Sequence, residues 1–153
     1  MKVLWLTFIP SPYRVSFFEE LSKYCDLTVL FERESSSYRN GTWDKFEFVG
    51  FRGVILNGVT IFKNDKLCLN VKPYLLDDTY DLIVTNPPIR AGKKVVHEIL
   101  EGSFEHLKED GELFVVIQKK QGAESSLKHL KTLFENVEVV NKDGGYWIIK
   151  SRK

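Results

Sequence analysis

Apolar positions fall in two rhythms along the chain. Lys2–Phe8, Leu27–Phe31, Asp81–Thr85 and Glu112–Gln118 are short, dense runs of aliphatic and aromatic residues, the length of buried strands. Lys45–Val49 alternates, and Gly53–Gly58 is a short apolar run between glycines, so both read as further strands. Elsewhere apolar residues return at helical spacing. Phe18, Leu21 and Cys25 do so after Ser11, a candidate cap. Val95, Val96, Ile99, Leu100, Phe104 and Leu107 form one face of a helix over Arg90–Leu107. Leu127, Leu130, Leu133 and Phe134 do the same over Glu124–Phe134. Leu67–Leu76 reads as a helix that Pro73 shortens or kinks. Asp110-Gly111 reads as a turn, and Glu32–Asp44 as a polar, serine-rich surface loop. Val137–Val140 and Tyr146–Ile149 read as a hairpin through Asp143-Gly144-Gly145. Strands alternating with helices and ending in a hairpin predict a three-layer α/β/α Rossmann-like sandwich, with a mostly parallel sheet and a C-terminal antiparallel hairpin.

Composition narrows this little. At 153 residues the chain makes one domain, with enough length to bury a core unaided. Hydrophobic residues at 43% and charged residues at 28% exclude disorder, collagen and coiled coil. A net charge of +1 gives no support to a strongly basic nucleic-acid binder, and leaves room for a local basic patch. Cys25 and Cys68 form no CxxC pair and read as two buried free thiols. The apolar start is ended by Pro10, Pro12 and Arg14 without a cleavage site, so it reads as a buried strand rather than a leader. No apolar run approaches the span of a bilayer, and the expected location is cytoplasmic. Aromatic usage is uneven: 15 of the 20 aromatic residues lie in the first 80 positions.

The sharpest chemical feature is Asn86-Pro87-Pro88-Ile89, directly after the strand Asp81–Thr85. Sites in open α/β sheets lie at the carboxyl ends of strands. The Asn86 amide and the Pro87 carbonyl are acceptors held by rigid prolines, able to orient an exocyclic amino nitrogen toward an electrophile. The plainer account is a polar turn stiffened by prolines. Arg90, Lys93, Lys94, Lys119 and Lys120 form a phosphate-contacting patch beside this turn, or simply solubilising charge. His97, His106 and His129 lack metal-ligand spacing and read as lone surface histidines, so no metal site is expected.

The stretch Asp81-Leu-Ile-Val-Thr-Asn-Pro-Pro-Ile-Arg-Ala-Gly-Lys-Lys-Val-Val-His-Glu-Ile-Leu100 resembles the catalytic half of a class I S-adenosylmethionine-dependent methyltransferase. It is most similar to the small-domain family that methylates the guanine N2 amine of small-subunit ribosomal RNA. The likeness continues through Gly111–Gly122, Val137–Val140 and Asp143–Ser151. It implies target-base binding by Asn86, Pro87, Pro88 and Ile89, with Arg90, Lys93, Lys119, Lys120 and Gln121 helping to hold RNA. It implies S-adenosylmethionine as cofactor, and a carboxylate after the second strand for its ribose. Glu32 stands there, although a solvated loop carboxylate is its plainer reading. The family's glycine-rich loop after the first strand is missing, since no G-x-G occurs and Thr7-Phe-Ile-Pro-Ser-Pro-Tyr-Arg14 follows instead.

Met1-Lys-Val-Leu-Trp-Leu-Thr-Phe-Ile-Pro-Ser-Pro-Tyr-Arg-Val-Ser-Phe-Phe-Glu-Glu-Leu21 and Cys25–Arg33 resemble instead the amino-terminal domain of a glycosyltransferase of the GT-B fold. That domain usually binds the acceptor, and the sugar-donor domain is not in this chain. The two likenesses meet at Tyr80–Val84, which implies one domain over residues 1–153 with a seam of two ancestries near 80–85. Three functions follow: an amino-methyltransferase acting on guanine in RNA, a folded chimera without activity, and a remnant acceptor-binding module. The missing glycine loop favours inactivity of a methyltransferase-like chain.

Overall fold

A computed structural model describes residues 1–33, 47–56, 59–62, 65–67 and 79–153. The first half runs β1 (Lys2–Thr7), α1 (Pro12–Leu21), β2 (Asp26–Phe31), β3 (Arg52–Ile55), β4 (Val59–Phe62) and β5 (Asp65–Leu67). The second runs β6 (Tyr80–Thr85), α2 (Lys93–His106), β7 (Leu107–Gln118), α3 (Ala123–Leu133), β8 (Asn136–Asp143) and β9 (Tyr146–Arg152). Short 3-10 turns at Ile89–Ala91 and Lys119–Gln121 precede α2 and α3.

One sheet has the order β3-β2-β1-β6-β7-β9-β8, and β4 and β5 pair separately. All its pairs from β3 to β7 are parallel, whereas β9 is antiparallel to both β7 and β8. The expected Rossmann-like architecture with a C-terminal antiparallel hairpin is thus observed.

The alternation of side chains across a strand explains the layers. Val3, Leu27, Val29 and Phe31 pack with Val15 and Phe18 of α1. Leu4, Leu6, Leu30 and Ile83 pack with Val96 and Leu100 of α2 and Leu130 of α3 on the other face. Right-handed crossovers require this split: the chain moves one way from β1 to β2 and the other way from β6 to β7. Strands covered on both faces read as continuous apolar runs, which is why these were visible in the sequence.

Local departures have physical causes. Pro12 occupies the first turn of α1, where its missing N–H costs nothing, and Ser11 precedes it in extended conformation without a side-chain cap bond. Asp110-Gly111 is not a free turn but lies inside β7, with Asp110 at φ 63°. Asp110 N–H donates to the Lys153 carbonyl (3.1 Å) and Lys153 N–H to the Gly111 carbonyl (3.0 Å), so the chain's end ties the irregular turn into the sheet. Leu67 belongs to β5, and the rest of the expected helix over 67–76 lies outside the described residues. So do residues 45 and 46 of the expected strand over 45–49, whose described part, 47–49, is not a strand.

Candidate functional site

The crossovers diverge between β1 and β6, and a crevice opens at the carboxyl ends of these central strands. Backbone bonds beyond the ladders hold its rim. Glu32 N–H donates to the Thr7 carbonyl (3.0 Å), Arg33 N–H to Phe8 (3.2 Å) and Asn86 N–H to Leu6 (3.4 Å). The crevice is lined by Thr7, Glu32, Thr85 and Asn86, and by the apolar Leu6, Leu30, Leu56, Pro88, Val95 and Ile99. Its cavity volume is about 20 Å³, room for one water molecule.

Glu32 is only 9% exposed, which corrects its reading as a solvated loop carboxylate. The register of β2 beside β1 turns it into the crevice instead. Burial pushes its carboxyl up to about 7, and the neighbouring Arg33 cation offsets this only in part. Thr85 ends β6 fully buried, and its hydroxyl has no hydrogen-bond partner among the described residues. Thr85 went unnoticed in the sequence, although its place as the last strand residue before Asn86 was a usable signal.

The Asn86-Pro87-Pro88-Ile89 turn stands at this rim. Asn86 is exposed, Pro87 buried, and Pro88 and Ile89 half-buried. The Pro87 carbonyl already accepts the Ile89 N–H (2.9 Å), and the Pro88 carbonyl accepts that of Ala91 (2.9 Å). One lone pair of Pro87 therefore remains for any ligand. Asn86 and Glu32 come together at the crevice, whereas Ile89 faces a second cavity.

That second cavity, of about 140 Å³, lies where the two 3-10 turns meet the starts of α2 and α3. Ile89, Lys93, Val96, His97, Gln121 and Ser125 line it, with Gly122 and Ser126. Lys93 and Gln121 are thus brought together, while Lys119 and Lys120 are exposed on the adjoining turn. Arg90 begins the same region, and its side chain lies outside the described residues.

His97 and His129 are not lone surface histidines. Packing of α2 on α3 stacks their rings at 3.8 Å with planes 10° apart. Glu101 Oε1 approaches His129 Nε2 to 2.9 Å. Burial holds the His97 imidazole below its ordinary pKa, the His129 and Lys93 charges add to this, and Glu101 opposes it. No group of three or more metal-ligating side chains occurs among the described residues. Among them, no helix is long and apolar enough to cross a membrane.

Sheet order and a polar turn at the switch point define a Rossmann-like domain of the methyltransferase type. The methyltransferase small domain matches residues 61–150, and the chain belongs to that family. The match begins upstream of the point where the two sequence likenesses meet. A Bacillus subtilis (strain 168) protein, the uncharacterized YbxB, is 56% identical over 92 residues, covering 55% of this chain and 46% of YbxB. The T. thermophilus 16S rRNA N2 methyltransferase RsmC, solved with AdoMet and guanosine, superposes with a TM-score of 0.63 at 18% identity. That superposition covers 100% of this chain and 35% of RsmC. A methyltransferase from Pyrococcus furiosus gives 0.60 at 18% identity, over 99% of this chain and 75% of the other. The chain therefore spans less than half the length of YbxB and of RsmC.

Proposed function

We propose that this chain is a methyltransferase-type domain related to the S-adenosylmethionine-dependent enzymes that methylate guanine N2 in ribosomal RNA, and that by itself it transfers no methyl group. The observation that carries this reading is one crevice holding both Glu32 and Asn86, yet closed to about 20 Å³. Small-molecule sites commonly offer about 300–1,000 Å³.

The residues present fit the cofactor at one end only. Glu32 after β2 is the residue type that bonds ribose hydroxyls, and the Thr85 hydroxyl beside it, unpartnered among the described residues, offers a further polar contact. The segment after β1 does not fit. Where a glycine loop would let a ligand approach the backbone, Ile9, Pro10 and Ser11 are buried side chains, and Arg14 Nη1 donates to the Ile9 carbonyl (3.2 Å). No methyl-transfer step is derived on such a crevice. What this chain retains is acceptor positioning: the Asn86 amide oxygen and the free lone pair of Pro87 would accept the two N–H bonds of an exocyclic amine. Lys119 and Lys120 would meet RNA phosphates.

The distribution of charge supports an RNA partner. Arg14, Arg33, Lys93, Lys119 and Lys120 follow the carboxyl ends of strands, while Asp26, Asp81, Glu109, Asp110 and Glu112 lie at the starts of β2, β6 and β7. Asp81, Asp110 and Glu112 are paired with Lys108, Arg152 and Lys150, whereas Lys93, Lys119 and Lys120 form no ion pair among the described residues.

Methyl-group labelling tests the reading. Replacing residues 8–11 with a glycine-rich loop should permit labelling of guanine in small-subunit rRNA, and Asn86→Ala in that variant should abolish it. Labelling by the unaltered chain overturns the claim of inactivity. A loop variant that binds cofactor but labels no guanine overturns the assignment of substrate.

A further inference from the structure

We propose that the cavity between the starts of α2 and α3 is a binding site for one phosphodiester group of RNA, held by Lys93, His97 and Gln121. This rests on the RNA reading above and extends it to a second place on the molecule, away from the crevice.

The cavity has the right size and the right walls. One water needs about 10–15 Å³ on this measure, so a cavity of about 140 Å³ has room for a tetrahedral oxyanion with bound water. Ile89 and Val96 give it apolar surface, and Lys93, His97, Gln121 and Ser125 are its polar lining. No carboxylate is among its lining residues. Lys93 is exposed and takes part in no ion pair among the described residues, unlike Lys94, which approaches Glu98 at 3.8 Å. His97 lines the cavity, and its Nε2 atom is buried without a hydrogen-bond partner among the described residues. The His97 ring thus stands at the wall of the cavity, where its charge acts on an anion bound there.

The surroundings of His97 make binding depend on pH. From its own helix it meets the Lys93 cation and the Glu101 carboxylate, and from α3 it meets the stacked His129. The 3-10 turn contributes the neutral Gln121. Without a ligand, burial first, and then His129 and Lys93, hold the His97 imidazole below its ordinary pKa. A bound phosphodiester adds a negative charge that favours the imidazolium, so binding takes up a proton. By linkage, each unit by which the ligand raises the His97 pKa makes binding about tenfold tighter at pH values where His97 is charged.

Proton NMR of the whole chain, titrated with the dinucleotide UpU, tests this. UpU carries one diester charge across pH 5–8. The His97 midpoint should rise on saturation, and affinity should increase about tenfold from pH 8 to pH 5.5. Lys93→Gln should weaken binding without changing the melting temperature, because Lys93 is exposed. An unshifted His97 midpoint overturns the site. So does an equal shift in Lys93→Gln, or an equal shift with uridine, which lacks the phosphate. UpU binding here by a chain with no affinity for longer RNA leaves the phosphate site standing and sinks the RNA reading instead.

Discussion

Glu32 follows β2 into the crevice, and burial raises its carboxyl pKa from 4.5 to about 7. The folded state therefore holds a proton that the unfolded chain releases. Stability from this group is fully present below about pH 4.5 and is lost as pH rises through 7. The loss is on the order of 3 kcal/mol. Glu32→Gln keeps the shape and removes the charge. We expect it to raise stability at pH 8 by about 2–3 kcal/mol and to leave stability at pH 4 nearly unchanged, as read by urea unfolding at both values. An equal change at both pH values would contradict the buried-carboxyl account. A bound ribose would act oppositely, since hydroxyl donors favour the ionised form.

Glycines separate the demands of the elements from those of the site. A Cβ on Gly111 would lie 2.8 Å from the Lys108 carbonyl and 3.0 Å from Leu107 Cδ2. Gly111→Ala should cost roughly 2 kcal/mol, because backbone must shift where β7 joins β6. Gly102, within α2, would meet nothing within 4 Å, so Gly102→Ala should stabilise by about 0.5–1 kcal/mol. Thermal unfolding of the two variants should move in opposite directions, and movement in the same direction would contradict this packing. Elements of this kind were legible when their pattern was local. β1 and β2 showed as apolar runs because a core packs on each face, β6 and β7 because one face is buried and the other half-buried but apolar, and α2 and α3 showed by spacing. The β4–β5 pair did not, since strands of three or four residues carry too few positions for a rhythm. The Asn86 turn was legible as a turn because two prolines follow a dense apolar run. The burial of Glu32 was not, because it follows from the register of β2 on β1. The stacked His97 and His129 were equally hidden, since they are 32 positions apart (129 − 97) and meet only when α2 packs on α3.

At the scale of the molecule, two facts stand together. The Asn86–Ile89 turn stands at the carboxyl ends of the central strands, and the segment after β1 carries the buried Ile9, Pro10 and Ser11 where a glycine-rich loop is proposed to be missing. The uneven aromatics acquire a physical meaning from this. Phe18 and Phe31 pack at 6.0 Å, and Trp5 and Phe18 at 5.4 Å, which lets aromatic residues build the α1 side of the sheet. The other side is mainly aliphatic. One sheet accommodates both cores because they occupy opposite faces, and continuity depends on β1 pairing with β6 from Val3–Leu82 to Leu6–Thr85. The measurement that most directly tests the central claim is calorimetric titration of S-adenosylmethionine into the unaltered chain. A closed crevice predicts no binding tighter than about 1 mM, a free energy of about −4 kcal/mol. Micromolar binding that disappears in Glu32→Ala would contradict it, and would show that Phe8–Ser11 can make way for the cofactor.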